Sequence, residues 1–349
     1  MAEIVSKELM TELEKEMQSI FGKNTFSFEE CLSLLLDGEL STFFSYIGES
    51  MKQLLSAEFT QLKQVVLVLL LVGILGSVFS VLSEAFENKQ VSKMSQTVFF
   101  LLTATLLLGT YQSGSELCES FVVTQKEYMT FLLPTFCMVL SFSTGMATGY
   151  SYYQLTLFLL LGLQMLLQYV FFPVLRLYMS FALLNGIGGQ KRFEKAQNLC
   201  GKVIEWGTRC GVYVGVGSLF LQGMLYPKID ESKRTVLKKG IGLIPGVGEL
   251  SDSATQIVIA SAELLRNCLG ITGAVGLLVL VAVPFLKLFC MGIGMKFCAS
   301  FLEIIGEKKI SNLSAAVGNV QLYFVRILLC EVVLFLLSFA VIALCTNTT

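Results

Sequence analysis

Apolar residues in this chain fall into long runs separated by short polar stretches. A helix needs roughly 20 residues to cross the ~30 Å hydrocarbon core of a bilayer. On this measure we predict seven spans, at 65–82, 97–111, 128–149, 154–185, 208–225, 268–302 and 320–345. The pattern predicts an all-α fold, a polytopic membrane helix bundle whose membrane domain covers residues 65–349.

Two of these runs are longer than a perpendicular span requires. The 154–185 run contains Pro173, and the 268–302 run contains Pro284. Because proline lacks an N–H group and crowds the preceding turn, a kink or a tilt is expected in each run. The number of spans therefore depends on whether either run breaks into two.

The first 64 residues have a different pattern. Residues 2–21 carry apolar side chains at helical spacing with Glu and Lys between them, which predicts an amphipathic helix. Ser27 precedes Glu30 at the spacing of a capping box, which predicts the start of a second helix. We expect 1–64 to form a small amphipathic helical region outside the cytoplasm. It contains no apolar stretch typical of a signal peptide.

Composition narrows the classes of function. The chain is 54% hydrophobic and 15% charged, which is too apolar for a soluble protein of 349 residues. A net charge of −1, without a basic cluster beside aromatic residues, argues against nucleic acid as a partner. The sequence contains no histidine, no C-x-x-C pair and no nucleotide-binding or hydrolase motif. We therefore expect no catalytic residues, no metal and no cofactor.

Loop charges suggest an orientation in the membrane. Segment 226–240 carries five Lys or Arg residues, whereas 112–127 is expected to be an acidic loop. The positive-inside rule places 226–240 in the cytoplasm. Counting spans backwards puts 186–207 outside, 83–96 inside and 1–64 outside, although 186–207 itself carries four basic residues.

Gly207, Gly211 and Gly215 recur every four residues and so share one face of the fifth predicted span. Glycine faces let helix backbones approach closely in lipid. We interpret this face as an intramolecular packing surface in preference to a self-association surface.

Segment 241–263 interrupts the apolar pattern. Pro245, Gly246 and Gly248 disfavour a continuous helix, and Glu249 and Asp252 follow within about one turn. One interpretation is a broken or re-entrant helix at a conduction or substrate site. The other is an amphipathic segment in the membrane interface, with Ser251 or Asp252 capping a helix.

Charged residues inside predicted spans are costly and tend to be functional. Lys287 and Glu331 lie deepest in the last two spans, and a Lys287–Glu331 pair is one hypothesis. Arg176 and Arg326 are closer to predicted span ends, where a long side chain can extend towards water.

Several short motifs, in order, resemble a known family. Their residues are Leu34-Leu35-Leu36-Asp37-Gly38-Glu39-Leu40-Ser41, Leu133-Pro134, Phe172-Pro173, Leu221-Gln222-Gly223, Ile244-Pro245-Gly246-Val247-Gly248 with Leu250-Ser251-Asp252, Arg266-Asn267 with Gly270 and Gly273, Val283-Pro284 with Lys287, and Lys308-Lys309-Ile310-Ser311. Together they resemble the stage III sporulation protein AE family, over most of the chain from about Phe26. The sequence departs from the family's pattern in one respect, because it shows no signal sequence, which that family usually carries.

The resemblance implies a non-enzymatic subunit of a membrane complex in the mother-cell membrane surrounding the forespore. Such a complex is thought to form a channel between the two cells and to support forespore development. Its partners would be other membrane subunits, ring-forming subunits and a separate subunit that supplies an ATPase, all around a lipid bilayer.

Two other functions remain as hypotheses. A stand-alone secondary transporter would have its site at 244–252, and inverted repeats would favour it. An intramembrane enzyme is disfavoured because no nucleophile with a matching base is visible.

Overall fold

In the computed structural model, the described part of the chain consists of six α-helices and one π-helical turn, with no strand. The structure describes 89–143, 146–188, 192–241, 248–304 and 308–346, together with scattered positions between 30 and 78. Only the backbone is described along 221–241, 248–263 and 339–346. The helices are α1 Lys89–Ser143, α2 Met146–Leu166, α3 Phe172–Gly188, α4 Glu194–Ile241, α5 Gly248–Ile304 and α6 Lys308–Thr346. The predicted all-α helix bundle is confirmed.

Helix α6 is the centre of the bundle. It packs along α5, its neighbour in a hairpin, and also against α1, α3 and α4. Its side chains include the fully buried Val317, Val320 and Phe324, and Phe324 stacks against Tyr111 of α1. Burying one such apolar side chain stabilises a water-soluble protein by about 1.5–3 kcal/mol. Inside a bilayer, close packing between helices provides the stabilisation in place of the hydrophobic effect.

Several helices begin or end at the same end of the bundle. Phe100 near the start of α1 packs against Gly186 near the end of α3, and the starts of α4 and α6 lie at this same end. We call it the Lys308 end. Phe100 and Gly186 border the segments 83–96 and 186–207, so their contact argues against the expectation that these segments lie on opposite faces, and the topology stays a prediction.

Helix α1 differs from the predicted pattern of two spans joined by a loop. Residues 112–127, expected as an acidic loop, are helical and continuous with both neighbouring predicted spans, 97–111 and 128–149. Between Lys89 and Ser143 the backbone is therefore one unbroken helix, where the pattern predicted two spans separated by a loop. Helical backbone can continue through polar residues when their side chains find partners, and Glu119 finds one in Arg176.

Three described helical segments are long and apolar enough to cross a membrane, namely Tyr152–Ile187, Asn267–Ile304 and Lys308–Ser338. They correspond to the predicted spans 154–185, 268–302 and 320–345. The predicted span 65–82 falls almost wholly outside the described residues. The total of seven stays a prediction.

A π-helical turn, Leu167–Phe171, joins α2 to α3 directly before Pro173. The Phe172 N–H group donates to the carbonyl oxygen of Leu167, one residue further back than in an α-helix. Pro173 has no N–H group to continue the α-helical ladder, and its ring crowds the preceding turn. The irregularity expected in this long run thus takes the form of a π-turn.

The amphipathic region 1–64 lies largely outside the described residues. Residues 41–46 are helical, and Phe43 is buried against the core of the bundle.

Candidate functional site

The predicted interruption at 241–263 is only partly described. Helix α4 ends at Ile241 and α5 begins at Gly248, while Pro245 and Gly246 lie outside the described residues. Glu249 and Asp252 fall in the first turns of α5, which continues unbroken to Ile304. The re-entrant and interfacial interpretations of this segment both stay predictions.

The hypothetical Lys287–Glu331 pair is not formed. In the α5–α6 hairpin, Gly292 packs against Gly318 and Leu322, so Lys287 lies level with α6 residues several positions before Glu331. Glu331 is only 4% exposed, and no hydrogen bond reaches its Oε2 atom from the described residues. Glu331 is therefore a buried carboxyl group with one oxygen that has no partner among the described residues.

The glycine face of α4 packs inside the molecule. An added Cβ at Gly207 would lie 2.6 Å from Cε1 of Phe171, and one at Gly215 would overlap Leu334 of α6. At Gly211 the nearest atom is Sγ of Cys330, at an ordinary 3.8 Å. Gly207 and Gly215 therefore set the distance between α4 and its neighbours, whereas Gly211 leaves space.

Two ion pairs join helices on the outside of the bundle. Arg176 Nη2 of α3 lies 3.3 Å from Oε1 of Glu119 on α1, and Arg326 Nη1 of α6 lies 3.1 Å from Oε1 of Glu205 on α4. All four side chains are between 39% and 65% exposed. Sequence reasoning noted both arginines but neither partner, because each partner lies on another helix.

The Arg326 pair lies within an apolar helical segment. Arg326 falls inside Lys308–Ser338, the described part of α6 that is long and apolar enough to cross a membrane, and α6 itself continues to Thr346. A charged side chain in such a segment is costly unless it reaches water, headgroups or protein.

Polar contacts also cross the buried core. Gln321 Nε2 donates to the carbonyl oxygen of Thr110 at 2.9 Å, and the Tyr128 hydroxyl donates to the carbonyl oxygen of Gly273 at 2.8 Å. Both bonds connect α1 to the α5–α6 hairpin. Since each buried donor needs a partner, they fix the position of α1.

A polar pocket lies at the Lys308 end. Its volume is about 390 Å³. The polar residues that line it come from α3, α4 and α6. Most of them are amides, with one tyrosine, two lysines and one glutamate: Tyr178, Asn185, Glu194, Gln197, Asn198, Lys308, Lys309, Asn312 and Asn319. Sequence reasoning missed this pocket, although asparagine in otherwise apolar helices is a signal that could have indicated it.

Hydrogen bonds order part of the pocket wall. Asn185 accepts from the Phe193 N–H group at 2.9 Å and donates to Gln197 Oε1 at 3.3 Å. Asn319 Nδ2 donates to the Tyr178 hydroxyl at 3.3 Å. These bonds pre-position the pocket amides and hold the turn between α3 and α4.

Within the described residues, no group of three or more His, Cys, Asp or Glu side chains could hold a metal ion. The fold and these sites define a polytopic α-helical membrane protein with charged pairs on its outer surface and a polar pocket at one end.

Comparison with known proteins identifies the family. The family model of stage III sporulation protein AE matches residues 26–346, so the chain belongs to that family. The stage III sporulation protein AE of Bacillus subtilis (strain 168) is 23% identical over 282 residues, covering 80% of this chain and 71% of the relative. No solved structure matches the chain.

Proposed function

We propose that this protein is a non-enzymatic membrane subunit of a channel or secretion-like complex that joins mother cell and forespore. It would reside in the mother-cell membrane surrounding the forespore. Its partners would be other membrane subunits, ring-forming subunits and a subunit that supplies an ATPase. Membership of a sporulation family supports the process, and the outer surface of the bundle supports the assembly.

The observation that carries the assembly is the exposed Arg326–Glu205 pair. Arg326 lies within an apolar helical segment, yet its side chain is 44% exposed. A charged side chain that faces lipid within such a segment is costly, and intramembrane charges generally face protein or a water-filled path. A neighbouring subunit or an aqueous channel beside Arg326 removes that cost, and both are features of a channel complex.

The test is purification of a tagged full-length protein from sporulating cells that lack the untagged copy. We expect the ATPase and ring-forming subunits to co-purify, and forespore development to stop when the gene is deleted. Arg326→Glu is expected to lower partner recovery while the amount in the membrane stays normal. Lys202→Glu, an exposed lysine on α4 outside the predicted spans, is the matched control.

The same preparation separates the proposal from a stand-alone transporter. Recovery of the protein without partners, together with normal sporulation of the deletion strain, would overturn the proposed function. Solute uptake by vesicles that contain this protein alone would support the transporter with its site at 244–252.

A further inference from the structure

The polar pocket lies where three apolar helical segments end. The segment Tyr152–Ile187 ends beside the pocket, and Lys308–Ser338 begins at its wall. The segment Asn267–Ile304 ends four residues before α6 begins. Where such segments end, the hydrocarbon layer gives way to lipid headgroups and water. The pocket is therefore at headgroup level.

The amide groups at the pocket offer both hydrogen-bond donors and acceptors, and several of the donors remain available. Asn185 and Asn319 use one amide hydrogen each within the wall, and the hydroxyl group that Asn319 contacts keeps its own hydrogen to donate. Gln197, Asn198 and Asn312 add further amide groups along the wall. Neutral donors around a cavity of this size can bind several oxygen atoms of one ligand.

The charges at the pocket favour an anion. Lys308 and Lys309 are both exposed and occupy the first turn of α6. Cations at a helix N-terminus are opposed by the positive end of the helix dipole, so this arrangement is unfavourable in an empty site. An anion between the lysines and the first-turn N–H groups reverses the sign of that interaction. Glu194 lies across the pocket and is the one carboxylate among its lining side chains.

We propose that this pocket binds a phosphate group, supplied by the headgroup of an anionic phospholipid. The volume of about 390 Å³ accommodates a headgroup, and the position at the ends of the spans leaves the acyl chains beside the apolar helices. The phosphate would contact the ammonium groups of Lys308 and Lys309, and the amides would bind the remaining oxygens. Free phosphate offers the same chemistry without the acyl chains.

The experiment uses the purified full-length protein in nanodiscs or neutral detergent. Binding of phosphatidylglycerol, with phosphatidylcholine as reference, is followed by native mass spectrometry and by the midpoint of thermal unfolding. The wild-type protein is expected to retain phosphatidylglycerol and to unfold at a higher temperature with it. Inorganic phosphate and glycerol phosphate form separate arms at matched concentration.

Variants locate the site. The double variant Lys308→Gln and Lys309→Gln is expected to weaken retention of phosphatidylglycerol roughly thirtyfold, at about fivefold for each lysine near an anionic ligand. Asn312→Asp keeps the shape of the pocket and adds a negative charge, so it should also weaken retention. The matched control is the double variant Lys195→Gln and Lys202→Gln, which removes two exposed lysines of α4 that do not line the pocket.

Each outcome bears on the proposal. Loss of retention in the Lys308, Lys309 and Asn312 variants, with retention in the control, supports it. Equal loss in the control overturns the pocket as the site, because general surface charge then explains binding. Full protection by inorganic phosphate overturns the lipid as its source, and absence of any preference for phosphatidylglycerol overturns the proposal.

Discussion

Gly292 of α5 and Gly318 of α6 lie backbone against backbone. A Cβ atom added at Gly318 would lie 2.9 Å from the carbonyl oxygen of Gly292, and one at Gly292 would lie 3.3 Å from the carbonyl oxygen of Gly318. Between this crossing and the connection from α5 to α6, Ser314 Oγ donates to the carbonyl oxygen of Met295, and Ser311 Oγ donates to that of Ala299. Small residues thus allow the two apolar helices to approach at one face.

Gly318→Ala is therefore expected to destabilise the hairpin. The added methyl group would meet backbone atoms, which can move only if a helix moves, and overpacking of this kind costs roughly 1–3 kcal/mol. The measurement is the midpoint of thermal unfolding in detergent. Gly162→Ala in α2 is the control because its added methyl group would meet no atom within 4 Å. An equal midpoint for both variants would contradict the close crossing.

The glycine face of α4 leads to a graded prediction. Gly207→Ala and Gly215→Ala should each lower the unfolding midpoint, because Phe171 and Leu334 are buried and have little room to move. Gly211→Ala should have a small effect, since its methyl group would contact Cys330 at a normal distance. The order of the three midpoints is the measurement. If Gly211→Ala were the most harmful, α4 would pack differently from the structure.

The shared Lys308 end predicts a topology different from the loop-by-loop count. Segments 83–96, 186–207 and 305–309 together carry eight Lys and Arg residues, against five in 226–240. The positive-inside rule then places the shared end in the cytoplasm. Single cysteines at positions 93, 195 and 309 in a cysteine-free background should all resist an impermeant thiol reagent in intact cells. Labelling of position 93 but not 195 would contradict the shared end.

The apolar helices were predictable from sequence because their signal is local. Runs such as 268–302 and 320–345 contain enough consecutive apolar residues to indicate a membrane helix without knowledge of their neighbours. The irregularity before Pro173 was predictable for the same reason, since proline perturbs its own turn. The spacing of Gly207, Gly211 and Gly215 likewise indicated one packing face.

The remaining features depend on residues that are distant in sequence. Residues 112–127 are polar enough to resemble a loop, and the partner of Glu119 is Arg176, which lies 57 residues away in the sequence. The pocket requires Asn185 of α3 and Asn319 of α6 to face one cavity, which needs the arrangement of the helices. A hydropathy pattern describes single helices, so pairings between helices are outside its reach.

Glu331 leads to a prediction about a buried carboxyl group. Glu331→Gln should leave the unfolding midpoint unchanged or raise it, because the amide has similar shape and carries no charge that burial would desolvate. Glu331→Ala should lower stability by about 2–3 kcal/mol, since it leaves a cavity in the core. Thermal unfolding and sporulation efficiency are measured together. Normal stability of Glu331→Gln with lost sporulation would show that the carboxyl group itself has a functional role.

The Arg326–Glu205 pair allows a charge-exchange experiment. Arg326→Glu places two carboxylates side by side, and Glu205→Arg places two cations there. Each single variant is expected to reduce stability by about 1 kcal/mol, because the two side chains are 44% and 39% exposed and charges at such sites interact only modestly. The double variant with both exchanges restores opposite charges and should recover much of the loss. A double-mutant cycle on unfolding midpoints gives the coupling between the two positions.

The amount of stability that the double exchange recovers depends on what surrounds the Arg326–Glu205 pair. If water or a neighbouring subunit covers the pair in the assembled complex, the coupling measured for the isolated protein in detergent should be small, near the ~1 kcal/mol of a solvated pair. The same cycle scored by partner recovery from sporulating cells should then show a larger coupling, because assembly fixes the environment of both side chains. Equal coupling in both measurements would indicate that α4 and α6 alone determine the environment of the pair, and that no partner contacts it.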